Sequence, residues 1–301
     1  MTYLVIANAA AGRAEDDPVE AAVAVLRAHG PTEVARTADA DELDSVLDGA
    51  EGRTVVVVGG DGSIHAVVGA LFARGQLAST SLALVPLGTG NDLARSLGLP
   101  LAPHEAAAVV TRGRPRRLDL IVDDGGGVVV NVVHAGLGAE AAASADSMKD
   151  RLGPLAYPAG ALVAGARERG WDLTVTVDGR PVELDDTSAS DRPGATRVLM
   201  VAVANGTSIG GGTPIAPTAV PDDGLVDVIV SFATGPLARL GYAAALREGT
   251  HLDRADVVHR RGEVVRIAGE AVRHNADGEL TGELAERTYR VEPSAWSLVV
   301  P

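Results

Sequence analysis

Four consecutive valines, Val55 to Val58, run without a break into Gly-Gly-Asp-Gly and then into a helix-like segment from Gly62 to Arg74. An unbroken apolar run of this length suits a parallel strand buried on both faces, and that burial demands helices above and below it. The surrounding residues repeat the unit. Thr2 to Asn8, Glu33 to Thr37 and SLALVPLG read as strands, alternating with helix-like AEDDPVEAAVAVLRAHG, ADELDSVLDGA and Asn91 to Leu97. A doubly wound α/β domain is therefore expected over residues 1–115.

From Leu118 the texture changes to short Val-rich segments separated by turn signals, among them the Asp178-Gly179 pair in DLTVTVDGRPVEL, which predicts a hairpin. A β-rich, β-sandwich-like C-terminal domain is expected over residues 116–290, broken by helical stretches near Ala139 to Gly170 and Pro236 to Thr250. The charged stretch Thr111 to Arg117 reads as the join. Its cluster of Arg112, Arg114, Arg116 and Arg117 is read as solvated linker, with contact to anionic headgroups as the other reading. The two domains are expected to carry separate sheets with the site in the cleft between them.

Composition removes several chemistries. The 301 residues hold no cysteine, which excludes thiol catalysis, disulfides and Cys-type zinc sites. Lys149 is the one lysine, so neither a GxxxxGK[ST] phosphate loop nor a protein-kinase strand lysine is present. With 26 Lys plus Arg against 40 Asp plus Glu, the net charge of −14 argues against a nucleic-acid partner. No apolar run reaches membrane-spanning length and the N-terminus lacks a basic secretory pattern, so a cytoplasmic location is expected.

Glycines at a strand-to-helix turn let backbone N–H groups approach an anion, and the helix N-terminus favours negative charge. GGDG (Gly59 to Gly62) has this form, LVPLGTGND repeats it one strand later, and NAAAG (Asn8 to Gly12) adds a third small-residue turn. In a parallel sheet all three emerge at the carboxyl edge, where ligands bind. The same glycines would serve an unliganded turn, and Asn91 and Asp92 would serve as helix caps. GTSIG (Gly206 to Gly210) matches the hydrolase elbow with Ser208 as nucleophile, but Gly211, Gly212 and Pro214 prevent the helix that elbow needs. GLGAEA lacks the βαβ context of a dinucleotide fingerprint, and His134 reads as a core residue.

GGDGS, PLGTGNDLARSLG, ANGTSIGGGTPIAPTAVPDDGLVDV, NVVHAGLGAEA, KDRLGPLAY and HNADGE occur in the order and type of the diacylglycerol kinase catalytic family, the soluble bacterial lipid kinases related to sphingosine kinases. The chain resembles that family over nearly its whole length. The resemblance implies ATP at Asn8, Ala9, Ala10, Ala11 and Gly12, at Thr37, at Gly59, Gly60, Asp61, Gly62, Ser63, Ile64 and His65, and at Thr89. It places catalytic Mg²⁺ on Asp61 and Asp92, a general base at Glu279, and a structural metal on the Asp223 carboxylate with the carbonyls of Val220 and Leu225. It further implies a lipid or amphipathic alcohol as substrate, diacylglycerol first, with transient membrane contact and a homodimer left open, and a final segment, 291–301, that returns to the first domain. An NAD kinase-like or other small-alcohol kinase and a non-catalytic nucleotide binder are the alternatives. Ser63, His65 and Ala66 depart from the family's usual Thr, polar residue and Glu. Asp61→Ala is expected to abolish turnover with the fold intact.

Overall fold

The computed structural model describes residues 1–9, 13–140, 170–184 and 197–301, with the side chains of 13–17 excepted. The expected α/β unit is built from β1 (Tyr3–Asn8), α1 (Arg13–Arg27), β2 (Thr32–Thr37), α2 (Ala40–Leu47), β3 (Thr54–Gly59), α3 (Asp61–Ala73), β4 (Ser81–Pro86), α4 (Asp92–Ser96) and α5 (Pro103–Arg112). Its strands are parallel in the order β4-β3-β1-β2. The valine run shows why both faces need cover. Val55 and Val57 pack with Leu43, Leu47, Ile64 and Leu71 of α2 and α3, whereas Val56 and Val58 pack with Val19, Val23 and Ala106 of α1 and α5. Each buried valine contributes about 1.5–3 kcal/mol, so one strand anchors helices on both sides.

The remaining chain forms β5 (Arg114–Asp123), β6 (Val128–Val129), β7 (Val132–Gly136), β8 (Leu173–Val177), β9 (Arg180–Pro181), β10 (Met200–Ala204), β11 (Val226–Ser231), α6 (Pro236–Glu248), β12 (Val257–Gly262), β13 (Val264–Ala276) and β14 (Glu279–Val300). Pairing is antiparallel from β12 through β11, β10, β7 and β13 to β14. Two hairpins, β8–β9 and β13–β14, turn on two-residue Asp-Gly loops. Asp178, Gly179, Asp277 and Gly278 all have positive φ, the backbone a type I′ turn requires. The helical stretch expected near 139–170 lies mostly outside the described residues.

Two expectations are corrected. The sheets are not separate: β14 pairs with β13 and β5, then bends through an irregularity between Glu292 and Trp296, and its Ser297 and Leu298 run parallel to Ser81 and Leu82 of β4. One hydrogen-bonded path thus connects β2 to β12. The stretch 111–117 stays largely exposed but is not an unpaired join, because Arg114 already begins β5 and pairs with β14. Arg116 makes two 2.7 Å bonds to Asp222, and Arg117 donates to the carbonyls of Ala78 and Ser294. Half of the arginine cluster is thereby committed to internal contacts.

Candidate active site

The glycine turns after β3 and β4 touch. A β-carbon on Gly88 would lie 2.5 Å from the Gly60 Cα, so neither position admits a side chain without moving backbone. This approach sets α3 and α4 side by side. Asn91, at φ 52°, turns its side chain back to Gly88, donating to its carbonyl at 2.6 Å and accepting from its amide at 2.9 Å. It therefore does not cap α4. That role passes to Asp61, whose carboxylate accepts from the amides of Asp92 and Leu93 at 3.0 Å each.

Asp92 is held in turn by the loop after β10. Ser208 Oγ and the amides of Gly211 and Gly212 all donate to its carboxylate at 2.8 Å. Ser208 is a positioning hydroxyl there, with a turn and no helix after it, which disposes of the hydrolase elbow. A β-carbon on Gly90 would meet Asp61 Oδ2 at 3.0 Å and Asp92 Oδ2 at 3.1 Å, so the two carboxylates converge on this glycine. Burial holds the Asp61 carboxyl above the usual carboxylate range, its two amide bonds oppose that, and the charges of Asp92 and Asp277 add to it. Two convergent carboxylates held in place by neutral amide and hydroxyl donors are a donor set that fits a hard divalent cation.

Beside this turn lies a cleft of about 650 Å³ between α3 and the ends of β1 and β2. Asn8, Thr37, Gly62, Ser63, His65 and Glu279 line it, so residues far apart in sequence share one space. Other sequence candidates stand differently. Ile64 is buried in the core and offers only backbone, and the Ala9 amide already donates to the Thr37 carbonyl at 2.9 Å. Gly59, Gly60, Asp61 and Thr89 belong to the touching turns beside the cleft, while Ala10, Ala11 and Gly12 lie outside the described residues.

Asp223, Val220 and Leu225 do not line the cleft. The Asp223 carboxylate pairs with Arg261 and accepts the Leu225 amide at 3.1 Å. Arg116 beside Asp222 holds that carboxyl below the usual range. The whole loop is tied down by Asp119, fully buried on β5, which accepts from the amides of Gly224 and Ser294 at 2.7 Å.

The sequence reading missed Asp277. This residue sits at φ 50° in the β13–β14 turn and accepts from the amides of Val130 at 2.6 Å, Asn131 at 2.9 Å and Val132 at 3.0 Å. It also bonds His65 Nδ1 at 2.9 Å. Its signal was present in the Asp-Gly pair of HNADGE, since Asp tolerates the left-handed backbone and its short carboxylate reaches nearby amides. His134, expected in the core, is buried there and stays neutral, with burial and then His274 pushing its pKa down to about 4.

Comparison with known proteins places both halves of the chain in known families. The diacylglycerol kinase catalytic domain family matches residues 2–122, and the YegS C-terminal NAD kinase beta sandwich-like domain family matches residues 131–300. A Stenotrophomonas maltophilia protein named "Probable lipid kinase YegS-like" is 30% identical over 77% of this chain and 75% of its own length. One of the same name from Pseudomonas aeruginosa UCBPP-PA14 is 32% identical over 96% of this chain and 91% of its own. A crystal structure of a diacylglycerol kinase from Bacillus anthracis str. Sterne superposes with a TM-score of 0.76 at 22% identity, covering 100% of this chain and 97% of that one, a likeness of fold.

Proposed function

The chain belongs to the lipid kinase family that joins a diacylglycerol kinase catalytic domain to a YegS-type C-terminal domain, and on that premise we propose that it transfers the γ-phosphoryl group of ATP to a lipid hydroxyl, with diacylglycerol as acceptor and phosphatidic acid as product. The observation that carries the reading is the cleft itself, where the start of α3 and Glu279 face the same space beside the paired carboxylates of Asp61 and Asp92.

Phosphoryl transfer needs positioning and charge stabilisation more than covalent help from the protein. With no phosphate-loop lysine, the backbone does that work here. The amides at the α3 N-terminus, next to Gly62 and Ser63, favour phosphate oxygens by direct donation and by the helix dipole. Asp61 and Asp92 would hold Mg²⁺, which when bound neutralises charge on the phosphoryl oxygens. The loop carrying Ser208, Gly211 and Gly212 keeps Asp92 from swinging away. Glu279, the first residue of β14 with its side chain 70% exposed, accepts the proton of the attacking hydroxyl. General-base help of this kind is typically worth ~10²–10⁴ in rate. A second, structural Mg²⁺ is proposed at the Asp223 carboxylate with the carbonyls of Val220 and Leu225, all hard oxygen donors.

The test is transfer of label from [γ-³²P]ATP to a panel of lipid and small-molecule alcohols. A labelled lipid is expected, with Glu279→Gln at least about 100-fold slower in kcat. Label on NAD alone would move the chain to NAD kinase chemistry, and binding of ATP without transfer to any acceptor would make it a nucleotide sensor.

A further inference from the structure

We propose that His65 is the positioning residue for Glu279: Asp277 fixes the imidazole through Nδ1, and Nε2 then stands within ion-pair reach of the Glu279 carboxylate, aiming that exposed side chain into the cleft. The inference rests on the reading of Glu279 as base. His65 Nδ1 is 2.9 Å from Asp277 Oδ2 and Nε2 is 4.0 Å from Glu279 Oε2. The three side chains form a gradient of constraint, from Asp277 at 2% exposed through His65 at 15% to Glu279 at 70%. Asp277 cannot drift, because three backbone amides hold its carboxylate.

A carboxylate accepts, so Nδ1 carries the proton that bonds Asp277, and a second proton on Nε2 then points at Glu279. Burial opposes that second proton, but the bond and charge of Asp277, with the charge of Glu279, outweigh it and raise the His65 pKa. The other charged side chains lining the same cleft among the described residues are Asp39 at the N-cap of α2, Asp44 of α2, and Arg74, which is paired with Asp44 and Asp48, while Asp61 opens α3 four residues before His65. An unaided Glu279 on a hairpin tip would sample many rotamers. One cationic contact from a fixed ring restricts them and holds the carboxylate toward the cleft, which serves the proton-transfer step without binding nucleotide.

The pair can be read without turnover. The His65 imidazole is followed by NMR in wild type and in Glu279→Gln, a substitution at an exposed site. Its titration midpoint is expected to fall when the Glu279 charge is removed, and an unchanged midpoint overturns the proposal. In kinetics, His65→Ala is expected to lower kcat about tenfold with the KM for ATP within about twofold. In the His65→Ala/Glu279→Gln double variant the His65 change should cost nothing further, because it acts through Glu279. Multiplying losses, or a loss confined to KM for ATP, would make His65 a nucleotide contact instead. A Glu279→Gln enzyme as fast as wild type would remove the base assignment and the positioning role together, whereas a slow Glu279→Gln with a wild-type His65→Ala removes only the latter.

Discussion

Asp61 carries two duties that pull its substitution phenotypes apart. Its carboxylate caps α4 through the amides of Asp92 and Leu93, and it also presents charge to the site. The expectation that Asp61→Ala leaves the fold intact is therefore refined: the fold persists but loses a cap, which typically costs about 1 kcal/mol. Asp61→Asn keeps an oxygen for one of the amides and discards the charge. We expect Asn to abolish turnover with a melting temperature closer to wild type, and Ala to lose both; equal melting of the two variants would deny the capping role. Buried histidines give a second residue-level prediction. His134 and His274 are both held neutral, chiefly by burial, with pKa values pushed down to about 4. A folded pKa below the unfolded value means the stabilisation is complete above about pH 6.5 and is lost as pH falls through that value toward 4, on the order of 3 kcal/mol for each group, of which about 2 kcal/mol is gone by pH 5. Denaturant unfolding at pH 7 and pH 5 should show the loss, and His134→Gln should flatten it. Asp61 and Asp92 stand in glycine turns that the sequence marks, whereas Glu279 was singled out by the family resemblance alone. Asp277 was hidden because its partners, the amides of Val130 to Val132, are brought near only by strand pairing.

At the scale of elements, the alternation of strand-like and helix-like segments identified β1 to β4 and the helices between them, with apolar runs marking β1, β3 and β4 and the half-exposed β2, TEVART, carrying none. It did not reveal the length of β14. That strand alternates exposed charges, passes Pro293, and changes partner from β13 to β5 and β4, so no local pattern spans its 22 residues. The contact between the β3 and β4 turns was equally silent, because a glycine in sequence does not announce what it faces. Here the requirement is severe: an alanine β-carbon at Gly88 would stand 2.5 Å from the Gly60 Cα, with no flexible side chain to yield. We expect Gly88→Ala to separate the turns, displacing Asp61 from the amides of Asp92 and Leu93, and so to lower both stability and kcat. Gly62→Ala, which meets nothing within 4 Å, serves as the stability control. A Gly88→Ala protein that melts with the Gly62→Ala control would show that the contact carries no weight.

Across the whole molecule, the continuous hydrogen-bonded path through β14 makes the DDGL loop part of the joint between the two halves. Asp119 on β5 grips the amide of Gly224 in that loop and the amide of Ser294 in the bend of β14, and its carbonyl accepts from Trp296 Nε1 at 3.0 Å. Trp296 is fully buried with the core of the α/β half, so the loop and the core of that half are mechanically connected. Arg261 sits at this joint and competes with any cation for the Asp223 oxygens, its Nε also lying 3.4 Å from Asp227 Oδ2. The proposed structural Mg²⁺ must therefore displace the guanidinium, which gives the proposal a sharp test. In an Asp61→Asn background, which weakens the cleft site, magnesium should raise the melting temperature and a chelator should lower it. Binding at a hundredfold excess over the dissociation constant is worth about 2.7 kcal/mol. Arg261→Ala should steepen the magnesium dependence by removing the competitor, and Asp223→Ala should abolish it. If the melting curves of the Asp61→Asn protein and of its Arg261→Ala derivative both superpose with and without magnesium, then Asp223 closes the joint through Arg261 alone, and the loop holds the two halves together without a metal.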